Sequence, residues 1–375
     1  MNAGEMRKGP AGSDSVLAWI RRLSRSPRPA GSREDARART WMRAVIESTG
    51  RFAIDEESFE FERYLPKKWG LVIDGKETEA IFAVCSANTP RGGLDAPLRR
   101  SDSKDIEGCV ALLPISGVHE SIAVEELARR GAVGVLAFQK AGRHHVGRVK
   151  YPRSSIPCLT VDAELGNGIW GKVRKRELAV EMNVRAETKM SEGRNLVALP
   201  RKTPAKTLFT AHRDSRPMSP GAIDNASGSS FLLFLAGCSQ TPDFGILSTD
   251  AEEYGLLGAR AFMKTTGLPH NIVDAINLDS IGSGPLHLVE RSRAGPLSES
   301  LNSEVEDHAH SEGVHLSRLS IPKGSDSDVF MDAGLRACWI RSYPTPTATT
   351  IDDTSSHIDP EILDQCRLLL SSLVA

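Results

Sequence analysis

One histidine and a series of acids recur through the second half of the chain, most of them just after an apolar run. His212 and Asp214 stand in Ala211-His212-Arg213-Asp214-Ser215, directly after Thr207-Leu208-Phe209-Thr210. Asp224 lies in Gly221-Ala222-Ile223-Asp224-Asn225-Ala226-Ser227-Gly228. Glu252 and Glu253 lie in Asp250-Ala251-Glu252-Glu253-Tyr254-Gly255, and Asp279 closes Asn277-Leu278-Asp279. The runs Thr207–Ala211, Phe244–Ser248 and Ile272–Leu278 are short and mostly apolar or β-branched, which predicts buried strands. In open α/β sheets ligands gather beyond the carboxyl ends of strands. Three such ends, carrying His212, Glu252 with Glu253, and Asp279, would crowd carboxylates at one edge. Crowded carboxylates raise one another's pKa, and a bound cation resolves the conflict. Oxygen and imidazole donors without thiolates suit Zn²⁺, with Mn²⁺ or Co²⁺ as other occupants. Singly, each segment has a plain structural use. Acids favour a first helical turn, and Asp224-Asn225 can cap the helix that Ser229–Ala236 predicts. The signal is their conjunction in one order.

That order resembles the M28 family of zinc-dependent aminopeptidases. The resemblance implies an α/β fold with a mixed, mostly parallel sheet flanked by helices and metal sites at the strand ends. It implies that His212 and Asp279 hold one metal ion, that Asp224 bridges two, and that Glu253 serves the second. Glu252 would be the general base, and Asp214 would orient the His212 ring from behind. The reaction implied is hydrolysis of an N-terminal residue or amide bond by activated water, with two ions roughly 3.5–4 Å apart. Gly221 and Gly228 fit a chain that turns tightly around Asp224.

The chain departs from the family pattern at one side of this site. The closing His-Thr-x-x-Asp-Thr of the family reads here Thr349-Thr350-Ile351-Asp352-Asp353-Thr354, so Thr349 stands where a metal-binding histidine is expected. Ser327, in Gly324-Ser325-Asp326-Ser327-Asp328, replaces a second histidine. A neutral threonine is a poor zinc ligand, which leaves Glu253 and the shared Asp224 for the second ion. One tightly bound zinc is therefore expected, with a second weak or absent, and Thr349→His is expected to raise the zinc content. His357, just before the last helix, reads as a helix-start or surface residue rather than a replacement ligand, and Asp352 and Asp328 are weaker substitutes still. Glutaminyl cyclases share this fold with one zinc but would use the set containing the lost histidine, so that reading is disfavoured. Two further readings are a repurposed M28-like enzyme acting on an acyl or amide group in a biosynthetic pathway, and a non-catalytic binding protein of this fold. Retention of Glu252 weighs against the latter.

Ser13–Ser24 and Arg33–Gly50 predict helices around the turn Arg28-Pro29-Ala30-Gly31-Ser32. Gly193–Pro200 resembles the strand that precedes the histidine strand by a short hairpin. Between these lies a segment of strand, helix and strand character: Asp105–Leu113, Ser121–Arg130, Gly131–Phe138 and Ser155–Val161. It is similar to a protease-associated domain. The implied division is a discontinuous catalytic domain of residues 1–66 and 185–375, with an α/β insertion at 67–184. The insertion is expected to cover one side of the cleft and limit substrate size. Its basic stretches, Lys140–Lys150 and Lys172–Arg176, read as solvated loops. Substrate pockets are expected from Leu286–Ser320 and Arg341–Thr347, with Tyr343 as a candidate lining residue and Trp339 and Phe330 more suited to packing.

At 375 residues the chain suggests about two domains. Its 47 basic and 48 acidic residues balance, which gives no electrostatic case for nucleic acid or membrane partners. A peptide or amide-containing small molecule is the expected partner. Met1–Pro10 lacks an apolar signal-peptide core, and the six scattered cysteines read as buried residues of a reducing, cytoplasmic compartment.

Overall fold

The computed structural model describes residues 12–115, 120–139, 144–265 and 271–375, so the reading of Met1–Pro10 lies outside the described residues. Helices α1 (Ser13–Leu23) and α2 (Arg33–Ser48) lead into the long strand β1 (Phe52–Ile73). Next come β2 (Lys76–Thr78), β3 (Ile81–Phe82), β4 (Leu94–Arg100), β5 (Val110–Ile115), α3 (Glu120–Arg129) and β6 (Gly134–Gln139). β7 (Cys158–Val161) and α4 (Ala163–Val173) follow, before β8 (Leu178–Pro200) returns along β1. The rest runs β9 (Thr207–His212), α5 (Ser227–Cys238), β10 (Phe244–Thr249), α6 (Leu257–Thr265) and β11 (Asp274–Leu278). β12 (Leu286–Arg291), α7 (Glu299–Ser311), β13 (Ser317–Ser320), α8 (Asp326–Asp332), β14 (Arg336–Ser342) and α9 (Pro360–Leu373) complete it.

The strands form one mixed sheet in the order β13-β12-β14-β11-β9-β10-β8-β4-β5-β6-β7-β3. It is parallel at the centre of each half, through β14-β11-β9-β10 and β4-β5-β6-β7. β8 joins the halves: its Leu196–Ala198 pairs with β10 and its Leu178–Met182 pairs with β4, antiparallel in both cases. β1 follows β8 along nearly its whole length, with one irregularity between Pro66 and Lys68.

Helices cover both faces of the half formed by β8–β14. On one face α1, α2, α5, α7 and α9 share a core that includes Trp19, Met42, Phe231, Phe234, Leu363 and Leu370. On the other, α6 and α8 pack Phe262, Val329 and Phe330 against Leu208, Leu247 and Trp339. A separate core, including Phe82, Leu112, Leu136, Leu159 and Val180, fills the half around β4–β7. α5 is buried along Ser227–Ala236, which explains why its sequence is apolar all round. Its serines satisfy themselves locally: Ser227 and Ser230 donate to Ile223 and Ala226, four residues back. Ser229 donates to the His212 carbonyl (3.0 Å) and so ties this helix to the end of β9.

Two expectations are corrected. Gly193–Pro200 is a strand, but it does not pair with β9, because β10 lies between them and satisfies the edges of both. Described residues 144–149 are not a solvated loop. Val146 and Val149 are buried, and the segment hydrogen-bonds to Val84 on one side and Thr349 on the other. Lys172–Arg176 is largely exposed as expected. The six cysteines are free, and all but Cys238 are buried.

The start of α5 is pressed against β11. A β-carbon on Gly228 would lie 2.1 Å from the Leu278 carbonyl oxygen and 2.5 Å from the Asn225 amide oxygen. Gly228→Ala is therefore expected to destabilise the protein by about 1–3 kcal/mol, the usual cost of forcing atoms into a packed interior. The midpoint of denaturant unfolding measures it, and an unchanged midpoint contradicts this packing.

Candidate functional site

The parallel register sets the site. Thr249 of β10 lies beside His212 of β9, and Asn277 of β11 beside Thr210, so Asp279 leaves its strand level with His212. Asp224 reaches the same point from the turn between β9 and α5. That turn begins at Gly221 with φ +63°, where a β-carbon would meet the Asp224 carbonyl at 2.5 Å. Asp353 holds the turn from the other side: its carboxylate accepts the N–H groups of Ile223 (2.7 Å) and Asp224 (3.2 Å). Burial first, and then the neighbouring Asp224, push the Asp353 carboxyl up to about 7 against those two bonds.

His212, Asp224 and Asp279 offer ligand atoms that all lie within 4.8 Å of one another. His212 Nε2 is 3.0 Å from Asp224 Oδ1 and 3.7 Å from Asp279 Oδ1. Its other nitrogen, Nδ1, faces the Asp214 backbone carbonyl at 3.1 Å and the Asp214 carboxylate at 3.5 Å. Burial would lower the His212 pKa, but Asp214, Asp224 and Asp279 outweigh it and raise the group well above the ordinary range. Asp279 is steadied by Ser280 Oγ (2.9 Å) and by a short bond from Ser325 Oγ, which in turn accepts from Asn277. Despite burial, the contact with His212 holds Asp279 well below the usual carboxylate range.

Asp214 does more than face the histidine. Its two oxygens accept the backbone N–H groups of Glu252 (3.1 Å) and Glu253 (3.2 Å), which fixes the short 3₁₀ turn Glu252–Tyr254. Ala251, just before it, is left-handed with φ 55°, a strained conformation for a residue with a β-carbon. Glu252 is only 6% exposed. Loss of water raises its pKa well above the ordinary value, His212 and Arg148 oppose this, and Glu253 and Asp279 push it further up.

The other half of the sheet supplies the facing wall of the same cleft, where Ile115, Glu120, Gln139 and Arg148 line a cavity of about 190 Å³. His145 packs against Thr349, with Nδ1 3.1 Å from the threonine Oγ1 and 2.8 Å from Gln139 Nε2, while Nε2 meets Glu120. Burial drives His145 towards its neutral form. Burial would raise Glu120, but His145 and the Arg148 N–H hold it far below the usual carboxylate range.

Glu253 does not join the His212 cluster, the one ligand group of this kind among the described residues. Its Oε2 accepts from Arg216 Nε at 2.8 Å, and Arg216 also donates to the Val146 carbonyl (2.7 Å). Glu253 Oε1 is buried with no hydrogen-bond partner. Of the possible substitute residues, Asp328, Asp352 and His357 are not among those lining the cavity. Phe330 is core, and Trp339 both packs and borders the cleft. Tyr343 is 46% exposed and stands edge-on to His287 outside the cleft. No residue of Leu286–Ser320 lines the cavity, whose wall there is formed by Pro322, Lys323 and Gly324.

Several residues that build the site carry no motif of their own. Arg28 is 1% exposed and donates to the carbonyls of Arg213 (2.6 Å), Pro220 (2.6 Å) and Gly221 (2.9 Å), lashing the Asp214 loop to the Asp224 turn. Burial lowers it to about 10. The only hint in the sequence was its place in the turn between the first helices. Arg216 follows Asp214 by two residues and could have been noticed as a cation placed among the acids. His145, Arg148 and Glu120 reach the site only through the fold.

Comparison with known proteins agrees with this architecture. The profile of peptidase family M28 matches residues 195–374. Aminopeptidase YwaD of Bacillus subtilis (strain 168) is 26% identical over 329 residues, covering 80% of this chain and 70% of that protein. The probable lipoprotein aminopeptidase LpqL of Mycobacterium tuberculosis (strain ATCC 25618 / H37Rv) is 24% identical over 261 residues, 63% of this chain, and the match spans about half (49%) of LpqL. The solved structure of BSAP, a zinc aminopeptidase from Bacillus subtilis, has the same fold, with a TM-score of 0.75, 21% identity, and coverage of 97% of this chain and 95% of that one. Residues 195–374 match peptidase family M28, and with the aminopeptidase relatives this supports a metallopeptidase-type enzyme.

Proposed function

We propose that the chain is a zinc-dependent hydrolase that removes an N-terminal residue, or cleaves an amide bond in a small substrate, using one tightly held ion. The observation that carries this reading is the donor set of His212, Asp224 and Asp279, whose ligand atoms lie within 4.8 Å of one another. Two carboxylates and one imidazole without a thiolate fit zinc, and three protein ligands are the usual complement of an open catalytic site. The zinc named for BSAP supports the same choice of metal. Zinc at such a site supplies polarisation of the scissile carbonyl and acidification of water.

The chain's own residues do the rest. Asp214 keeps the His212 ring turned towards Asp224 and, through the Glu252 and Glu253 N–H groups, aims Glu252 at the same point. A desolvated carboxylate with a raised pKa takes a proton from water more readily than an ordinary one, and Glu252 can return that proton to the leaving amine. The small cavity suits a short substrate rather than a folded chain.

A second ion is disfavoured on two counts. Thr349 offers a hydroxyl already engaged by His145, and the Arg216 guanidinium sits on Glu253 where a second cation would compete with it. The free Glu253 Oε1 and the shared Asp224 are the two donors left, which is too few for a tight site. The protease-associated character of 67–184 belongs to this proposal too. Its supporting observations are the separate core around β4–β7 and the contribution of Glu120, Gln139 and Arg148 to the cleft.

Glu252→Gln is expected to lower turnover of an aminoacyl arylamide by about 10²–10⁴-fold, the worth of a positioned proton carrier, with zinc content and melting temperature retained. Near-normal turnover would remove Glu252 from the reaction. Elemental analysis of the unaltered protein is expected to return one tightly held zinc per chain. Because Arg216 stays in place, Thr349→His alone should raise that number little, whereas Thr349→His combined with Arg216→Ala should move it towards two. Two tight ions in the unaltered protein would overturn the single-metal reading.

A further inference from the structure

The cleft carries more positive charge than its own acids use. Four cations line it: Arg148, Arg216, Lys323 and Arg341. Arg216 is taken by Glu253, and Arg148 donates to the Glu252 carbonyl at 3.1 Å. Among the described residues neither Arg341 nor Lys323 has a carboxylate within ion-pair distance. Arg341 is 5% exposed, its guanidinium carbon 5.0 Å from the Trp339 ring centroid. Among the described residues it donates only to the Ser342 carbonyl (3.1 Å) and Thr345 Oγ1 (3.4 Å), which leaves most of its five N–H donors without a partner there.

A buried guanidinium held this way is costly unless an anion meets it. Loss of water lowers its pKa, and Asp279 and Asp224 are the acids that oppose this most. Those two carboxylates are the proposed zinc ligands, so their charge is spent on the ion and not on Arg341. Lys323 titrates below the ordinary lysine range as well, first through desolvation and then through repulsion by Arg341 and Arg216, although the residue as a whole is exposed. Position matches this. Arg341 follows Ile340, whose carbonyl accepts the Asp279 N–H at 3.2 Å, so the guanidinium leaves β14 beside the ligand residue on β11.

We propose that Arg341 and Lys323 form an anion subsite that receives a substrate carboxylate close to the scissile amide, so that the enzyme acts preferentially on short acidic amides. This inference rests on the hydrolytic reading of the same cleft. A planar guanidinium takes a carboxylate through two parallel hydrogen bonds, and the ammonium adds a point charge in the same cleft. The carboxylate has two possible sources, an acidic N-terminal side chain or the C-terminal carboxylate of a dipeptide.

The test compares kcat/KM for a leucyl and a glutamyl arylamide, and for one dipeptide with a free and an amidated C terminus. The carboxylate-bearing member of one pair is expected to be favoured about 10- to 100-fold, mostly through KM, as one or two charged hydrogen bonds would give. The favoured pair identifies the source. In Arg341→Gln and in Lys323→Gln the preference should fall towards one. Equal values within both pairs, or a preference untouched by either variant, overturn the proposal. If none of these substrates is turned over, calorimetric titration of succinate decides. Binding to the unaltered protein that is lost in Arg341→Gln supports the subsite even as the hydrolytic reading fails, and no binding, or equal binding to both proteins, refutes it.

Discussion

The structure depends on burying a group of carboxylates together at one edge of a sheet. Asp214, Asp250, Glu252, Glu253, Asp279, Asp326 and Asp353 are all 6% exposed or less. Charges removed from water in this way must be paired or hydrogen-bonded, and losing one partner of a buried pair commonly costs about 3–5 kcal/mol. The chain answers with arginines of the catalytic half. Arg213, fully buried, grips Asp35 of α2 with two nitrogens (2.7 and 3.1 Å) and lies 3.3 Å from Asp250. Arg28 spans the neighbouring loop carbonyls, and Arg216 covers Glu253. The N-terminal helices are thus electrostatic parts of the site as well as packing elements.

This arrangement divides labour along one short segment. His212, Arg213 and Asp214 are consecutive, and strand geometry sends neighbouring side chains to opposite sides. His212 lines the cleft with Asp214 behind it, while Arg213 turns to the N-terminal helices and anchors the segment there. Asp214 then transmits this rigidity to Glu252 and Glu253 through their N–H groups. Tyr254, next in the chain, sits edge-on to Phe61 (5.1 Å) and Tyr151 (6.1 Å), so the acidic turn is held by the core around β4–β7 as well as by Asp214.

That double hold ties the half around β4–β7 to the acidic turn. The β1–β8 ribbon runs between the halves with one irregularity, and residues 144–149 stitch across to Thr349. At the position left without a histidine Thr349 meets His145, and beside it the Arg216 guanidinium sits on Glu253.

Much of the architecture was legible in the residues. The periodicity of Ser13–Ser24 and Pro360–Leu373, and the apolar runs before His212, Glu252 and Asp279, follow from local pattern. Such pattern is dictated by burial on one face or on both. His212, Asp224 and Asp279 could be read as a group because each closes or follows an element whose parallel pairing brings strand ends level. Their convergence within 4.8 Å is what that pairing produces. The order of β8, β10 and β9 was not legible, since strand neighbours are chosen by long-range packing and not by proximity in the chain. Nor were the partners Arg28, Glu120, His145 and Arg341. A lone arginine or histidine has no periodic signature, and the worth of its charge depends on which carboxylates the fold leaves beside it. The sequence by itself determined the donors and the elements that carry them. Only the tertiary structure decided which charges meet, because Coulomb energy and desolvation depend on distance and burial, and neither is written in residue order.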